Sequence, residues 1–333
     1  MANEKLAKVL SNVKTNVPLI QAAADEVFQT GVKNIFLIGC GGSYSYMMPW
    51  KYFLDGHSHI PSFLEIAAEL KVKHHMELGK GSVCLFTSKT GDTKEIVQIM
   101  EFCKQQGATT VAFVATEQNP MRQFADYMFY TDCEEEYSTH TFFCGIATFL
   151  LKILNHNGEF PKYDRFISQM LEMGPALDAA RESVLEKCEA YGKLHKDTPW
   201  HLVLGSGETW GEAYCYAMCI LEEMQWIKTK SIHAAEFFHG TIELVEPGTS
   251  VIMMYGEDET RPLMDRAYKF ISSITDQILI FDTKGLDMPF DEEFRGMVSP
   301  VFLGHMTGAL SKVLERERNH SLSIRRYYRQ MEY

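Results

Sequence analysis

Three groups of residues in this 333-residue chain have the types and spacing to do chemistry. The first is a carboxylate and an imidazole. Glu223 follows Glu222 near the end of a helical pattern running from Glu208 to Trp226. His239 lies sixteen residues further on, in Glu236-Phe-Phe-His239-Gly240, just before a strand-like run. One such pair suffices to move protons along a carbon skeleton near neutral pH, the glutamate as general base and the histidine as general acid. The ordinary alternatives are a solvated helix face for the glutamates and a buried, hydrogen-bonded side chain for the histidine. The other two groups are Gly39-Cys-Gly41-Gly42-Ser43 and Thr87-Ser88-Lys89-Thr90-Gly91-Asp-Thr93, each directly after a short apolar run. Hydroxyl donors, a glycine that lets the backbone approach, and a helix start with its N–H groups suit a phosphate monoester. Ser138-Thr139, ahead of a helical pattern from Phe142 to Leu154, is a further hydroxyl pair. The same residue types also serve as helix caps and turns, and spacing alone leaves both readings open. A third glycine at dinucleotide spacing is absent, as is any GxxxxGK[ST] run, which removes dinucleotide and P-loop readings.

These residues need strands that end where the glycines begin, and the sequence supplies them twice. The apolar run Asn34–Ile38 leads into Gly39, and His201–Leu204 leads into Gly205-Ser-Gly207, an offset of 166 (205 − 39). Val83–Phe86 and Val251–Met254 are offset by 168 (251 − 83), and Val111–Val114 and Ile278–Phe281 by 167 (278 − 111). Met128-Phe-Tyr130 and Gly296-Met-Val298 continue the series as a fourth strand pair, offset by 168 (296 − 128). Such a series points to duplication. Each run is followed by a helical pattern, such as 93–106 or 263–273, and this alternation implies parallel sheets covered on both faces. The expected fold is α/β, with two tandem domains, each a doubly wound parallel sheet flanked by helices in three αβα layers, as in flavodoxin. The first domain spans 15–155 and carries the phosphate cradle. A helical connector spans 156–194, with two helical patterns between Tyr163 and Leu194. The second domain spans 195–333 and carries Glu223 and His239.

Composition narrows the function. A net charge of −12 and 44 acidic against 32 basic residues argue against nucleic acid, whose phosphates need a basic footprint. The start of the chain lacks the apolar core of a signal peptide, and no run approaches the roughly 18 apolar residues of a membrane span. Eight scattered cysteines in a chain of this length read as reduced thiols, hence a cytoplasmic protein with no membrane partner.

Read in order, Gly39-Cys-Gly-Gly-Ser43, Ser88-Lys-Thr-Gly-Asp-Thr93 and Glu236-Phe-Phe-His-Gly240 resemble the motifs of the SIS (sugar isomerase) enzymes of sugar phosphates, among them the isomerase half of glucosamine-6-phosphate synthase. The resemblance covers nearly the whole chain. Ala235–Gly248 and the tail Arg325–Tyr333 look most similar to fructoselysine and glucoselysine 6-phosphate deglycases. It implies that Gly41, Gly42, Ser43, Ser88, Thr90 and Thr93 hold a sugar phosphate, with Lys89 adding charge and Ser138 approaching the sugar hydroxyls. Glu223 would be the base and His239 the acid, with no cofactor and no metal. It also implies a homodimer or dimer of dimers in which His239 serves an active site shared between subunits. Where the synthase has lysines, this chain has Ile220, Glu222 and, aligned from the C-terminus, Tyr327, and it carries no glutaminase domain. Those departures argue against synthesis by ammonia transfer and suit cleavage of a substrate that already carries its amine.

Other candidates have blander readings. Cys215-x-x-x-Cys219 falls on an apolar helix and lacks two paired ligand sets, so it reads as core. His57-x-His59 and His74-His75 read as surface, and Met47–Phe53 as core or dimer contact. His233 reads as structural, and Glu236 as a loop anchor. Arg325 is a candidate contact for the amino-acid part of a substrate; Arg325-Arg326 could equally pin the tail. Rival functions are an isomerase or deaminase of free amino-sugar phosphates and a non-catalytic sugar-phosphate sensor.

Overall fold

A computed structural model describes residues 2–131 and 138–332, with side chains described over 5–131 and 140–332. The chain divides into two compact units, Met1–Gly174 and Pro175–Tyr333.

The first unit opens with helix α1 (Ala2–Thr30) and continues through β1 (Asn34–Gly39), α2 (Gly42–His57), β2 (Ser62–Ile66), α3 (Ala67–Lys73), β3 (Ser82–Ser88), α4 (Lys94–Gln105), β4 (Thr109–Val114), β5 (Tyr127–Tyr130), α5 (Ser138–His156) and α6 (Tyr163–Leu171). The five strands are all parallel, in the order β2-β1-β3-β4-β5. β1 and β3 are buried along their whole length, which is why they read as unbroken apolar runs rather than alternating ones. One face of the sheet sets Phe36, Ile38, Cys84 and Phe86 against Ala67 and Leu70 of α3 and Ile96, Ile99, Met100 and Cys103 of α4. The α4 residues recur at the three- and four-residue spacing of a single helical face. On the other face α5 comes so close to Phe113 that a Cβ on Gly145 would sit 2.7 Å from its ring.

The second unit contains most of α7 (Gly174–Glu182), then α8 (Leu185–His195), β6 (Trp200–Gly205), α9 (Trp210–Cys215), α10 (Glu223–Gln225), β7 (Lys228–His233), β8 (Val251–Tyr255), α11 (Arg261–Ile271), β9 (Ile278–Asp282) and α12 (Glu292–Glu317). Its four strands are parallel in the order β7-β6-β8-β9. The α/β fold with two parallel sheets flanked by helices is the one expected.

Two expected strands are not strands. Gly296-Met-Val298 lies inside α12. Asp291 precedes this helix, Glu292 and Glu293 supply negative charge to its first turn, and the unbroken buried stretch from Met297 to Leu303 marks a helix buried on all sides. Gly296 serves close approach: a Cβ there would stand 3.1 Å from Glu208 and 3.2 Å from the Asp258 backbone. The run after His239 is likewise a single 3₁₀ turn, Thr241–Leu244. The connector region carries three helices, α6, α7 and α8, where two patterns were expected.

The duplication nonetheless reaches further than the sequence pattern suggested. Edge strands β2 and β7 begin 166 residues apart (228 − 62). Both are partly exposed, so neither has the continuous apolar signature of the central strands. Directly after them Ala67-Ala-Glu69 and Ala234-Ala-Glu236 repeat the same tripeptide at an offset of 167 (234 − 67). The first opens helix α3; the second enters a turn over 234–240 that carries His239.

Candidate active site

In the first unit the chain winds from β1 out to β2 and then returns to β3 on the other side of β1. The switch point of the sheet therefore lies between β1 and β3, where doubly wound sheets open a crevice at their carboxyl edge. Ile38 pairs with Phe86, so Gly39–Ser43 and Ser88–Thr93 leave the sheet side by side. Gly39 has no room for a side chain, since a Cβ would fall 2.4 Å from the Tyr44 nitrogen. Gly41 takes φ 54° at the start of α2 and, as glycine, has no side chain to cap that helix. Thr93 precedes α4 but makes no side-chain cap bond to it. The reading of these residues as ordinary side-chain caps thus fails at both helix starts, which suits a bound anion there.

The loop after β3 is built to hold its shape. Buried Ser88 accepts the Gly91 N–H on Oγ at 2.9 Å, which leaves its own proton for a ligand oxygen. Thr90 donates to Asp92. The Lys89 carbonyl accepts the Ala115 N–H and the Thr116 hydroxyl, both at 3.1 Å, tying the loop to the end of β4. Gly91 takes φ 67°, and a Cβ there would fall 2.5 Å from Asn119. Gly41, Gly42, Ser43, Lys89, Thr90 and Thr93 are half-buried. The structure so brings together seven of the eight residues expected at the cradle. Ser138 opens α5, and its side chain lies outside the described residues.

In the second unit the helix that carries Glu223 is not uniform. After α9 it widens to π geometry over Tyr216–Glu222 and tightens again at α10. The segment ends at Trp226, whose φ of 55° is left-handed and unusual for a bulky side chain. Glu223 accepts the Arg325 Nε–H on Oε1 at 2.7 Å. Arg325 also donates to the Leu322 and Ile324 carbonyls at 2.7 and 2.9 Å, so it pins the C-terminal tail while holding the glutamate. Both side chains edge a cavity of about 550 Å³, walled by residues 222–223 and 226–229 on one side and 325–328 on the other. His239 is not in that wall. It is exposed in its turn, with its N–H given to the Glu236 carbonyl at 3.0 Å. Gly240, at φ 134°, lets the chain leave that turn. His233 faces the Gly207 N–H at 3.4 Å and the Ala235 N–H at 3.2 Å, and burial lowers its pKa. A neutral ring that takes up a backbone N–H is a structural part.

The matching switch point of the second unit, between β6 and β8, is closed by its own side chains. Ser206 and Thr209 form a reciprocal capping box. Asp258 accepts the Glu208 N–H at 3.2 Å and the Thr260 N–H at 2.7 Å, and Ser206 meets the Thr260 hydroxyl at 2.8 Å. A Cβ on Gly207 would fall 2.6 Å from Asp258. Burial, with Asp258 and Glu259 nearby, holds the Glu208 carboxyl well above its usual range. Burial likewise pushes Glu212 up to about 7.

Among the described residues no three His, Cys, Asp or Glu side chains gather as a metal site, and no helix is long and apolar enough to cross a membrane. None of the seven cysteines described forms a disulfide. Met47 and Trp50 are core.

A model of the SIS domain matches residues 30–151. Over 320 residues the chain is 30% identical to fructosamine deglycase FrlB of Bacillus subtilis, an alignment covering 94% of this chain and 97% of that protein. The chain belongs to the SIS-domain family. It is also 23% identical to the fructoselysine 6-phosphate deglycase of Escherichia coli K12, over 98% of this chain and 93% of the relative. A crystal structure from Bacillus subtilis, assigned as a phosphosugar isomerase, superposes with a TM-score of 0.91 at 29% identity, covering 98% of this chain and all of that one. These SIS relatives are phosphosugar deglycases and isomerases, which places the chain in a family of enzymes.

Sequence reasoning missed the acidic closure around Asp258 and the aromatic wall at Trp226. Asp258 comes two strands after Glu208, whose N–H it accepts, and no local pattern links them. Trp226 directly follows the Glu222-Glu223 helix, and the run Arg325-Arg-Tyr-Tyr328 concentrates charge and aromatic surface in four residues. Both were visible as composition, but not as neighbours.

Proposed function

We propose that this protein is a deglycase that hydrolyses a 6-phosphorylated glycated amino acid, fructoselysine 6-phosphate or glucoselysine 6-phosphate, to a hexose 6-phosphate and lysine. The observation that carries the reading is Glu223, held by Arg325 at the wall of a substrate-sized cavity in a chain alignable end to end with fructosamine deglycases. The uncapped loops 39–43 and 88–93 hold the phosphate, with Ser138 near the sugar. Binding there, remote from the reacting carbons, orients C1 and C2. With the ring of fructoselysine 6-phosphate opened, Glu223 takes a proton from C1 while His239 protonates the C2 oxygen, giving an enaminol. Return of a proton to C2 makes the C1 imine. Water adds to C1, and the carbon–nitrogen bond breaks to release lysine and the aldehyde of glucose 6-phosphate. These steps need one base and one acid in turn. The exposure of His239, and its place outside the Glu223 cavity, favour a homodimer in which His239 reaches the partner's site. The setting is cytoplasmic.

The test is release of hexose 6-phosphate and lysine from both lysine conjugates, beside glucosamine 6-phosphate as the substrate of the isomerase or deaminase reading. Turnover of a lysine conjugate that is lost in Glu223→Gln and His239→Ala supports the deglycase; turnover of glucosamine 6-phosphate alone refutes it. Mixing the two dead variants tests the shared site. Random re-pairing restores about a quarter of wild-type activity if His239 serves the partner, and none if it serves its own subunit.

A further inference from the structure

The cavity beside Glu223 has wall chemistry that the proton transfers do not use. Arg325 is committed to Glu223 and to two tail carbonyls, whereas Arg326 has no carboxylate partner among the described residues. The Arg326 guanidinium lies over the Trp226 ring, 4.1 Å from its centroid, and 6.0 Å from that of Tyr327. A cation stacked on aromatic faces keeps its N–H edge for a planar anion. Glu222 stands at the same cavity with its carboxylate oriented by the Thr229 hydroxyl. Trp226, Ile227 and Tyr327 line the same cavity and give it apolar surface. The left-handed backbone of Trp226 is a strained conformation at the edge of a cavity that also holds the candidate base, the kind of place where strain serves function.

We propose that this cavity is the subsite for the amino-acid half of the substrate: Arg326 reads the α-carboxylate, Glu222 the α-ammonium, and Trp226 and Tyr327 carry the methylene stem of a lysine joined through its side-chain amine. The proposal rests on the deglycase reading and adds to it the residues that recognise the released amine. A side-chain-linked lysine keeps a complete zwitterion, separated from the linking amine by four methylenes, and so matches a cavity that offers one cation, one anion and apolar surface. An α-linked conjugate has its carboxylate beside the reacting amine and leaves that surface unused. The adjacent arginines thus divide the work: Arg325 is a positioning residue for Glu223, and Arg326 determines specificity.

Free lysine is titrated into the full-length protein while tryptophan emission is followed, with Trp226→Phe identifying the signal of that residue. The expected result is a saturable change with a midpoint on the order of millimolar, weakened about 10-fold or more in Arg326→Gln and not reproduced by pentylamine. In turnover, the preference in kcat/KM for fructoselysine 6-phosphate over the matching pentylamine conjugate falls about 10- to 100-fold in Arg326→Gln, through KM, and Arg326→Lys restores part of it. A Trp226 signal indifferent to lysine, or an Arg326→Gln protein that binds lysine as wild type does, overturns the subsite. Lysine binding that depends on Arg326, in a protein that releases lysine from no phosphorylated conjugate, upholds the subsite and removes the deglycase reading instead.

Discussion

Between β1 and β3 the carboxyl edge of the first sheet carries glycines, hydroxyls and two helix starts without side-chain caps. Between β6 and β8 the equivalent edge of the second sheet is filled: Asp258 takes two backbone N–H groups, Ser206 and Thr209 cap each other, and Glu208 is buried behind them. The two edges have the same strand order around the switch point and arise at the same offset in the chain. One lacks side-chain caps and suits an anion; the other has supplied its own anion. The strands after them show the same divergence. Ala67-Ala-Glu69 continues into Leu-Lys-Val-Lys73 and completes α3, whereas Ala234-Ala-Glu236 continues into Phe-Phe-His-Gly240. In the second case His233 takes up the Ala235 N–H, Phe237 is buried, and Gly240 turns the chain, so that His239 is presented in place of a helix. Duplication preserved the frame, and a few side chains per corner decided which crevice is left without caps and which is filled.

The largest expected effect sharpens this division. Glu223→Gln, in the chemical half, lowers kcat on the lysine conjugate by about 10²–10⁴-fold with little change in KM or in thermal midpoint, since the change is isosteric. Steady-state kinetics beside a melting curve checks it, and a loss carried by KM would reassign the residue to binding. The next prediction gives the first crevice the anion that the second already owns. Ser43→Asp weakens sugar-phosphate binding by about 10- to 100-fold, measured by calorimetry, because a fixed carboxylate at the start of α2 repels the phosphate. Unaltered affinity would mean that the phosphate sits elsewhere.

A third experiment measures what a carboxyl buried in the second unit, beside Thr307, costs. Glu212 is pushed by burial from 4.5 to about 7, so between those values the folded state binds more protons than the unfolded one. Stability from this group is therefore whole below about pH 4.5 and is lost as pH rises through about 7. Glu212→Gln lacks this titration, and its stability relative to wild type rises by about 2–3 kcal/mol between pH 4.5 and 8 in denaturant unfolding. A pH-independent difference would show that Glu212 stays ionised in the fold. The smallest effect concerns the turn. Nothing lies within 4 Å of a Cβ on Gly240, so Gly240→Ala costs only the strain of its φ of 134°, about 1–3 kcal/mol by chemical denaturation. A parallel fall in kcat would tie that turn to the placement of His239; unchanged stability would show that the turn relaxes freely.

Much of this molecule is written locally. Unbroken apolar runs mark β1, β3, β4, β6, β8 and β9, and glycines or hydroxyls follow several of them, so the sheets, the duplication and the loops at 39–43 and 88–93 could be read without a structure. Local pattern fell short at the edges, where β2 and β7 are half-exposed, and at Gly296-Met-Val298, three residues equally at home in a strand or a helix until the face they bury is known. The sequence by itself determined which segments cross the core, because burial on both faces demands continuous apolar side chains. Tertiary structure alone decided that Arg325 meets Glu223 across 102 residues, that Arg326 stacks on Trp226, and that Asp258 closes the second crevice. Those contacts depend on where separate elements come to rest, and no spacing along the chain encodes that.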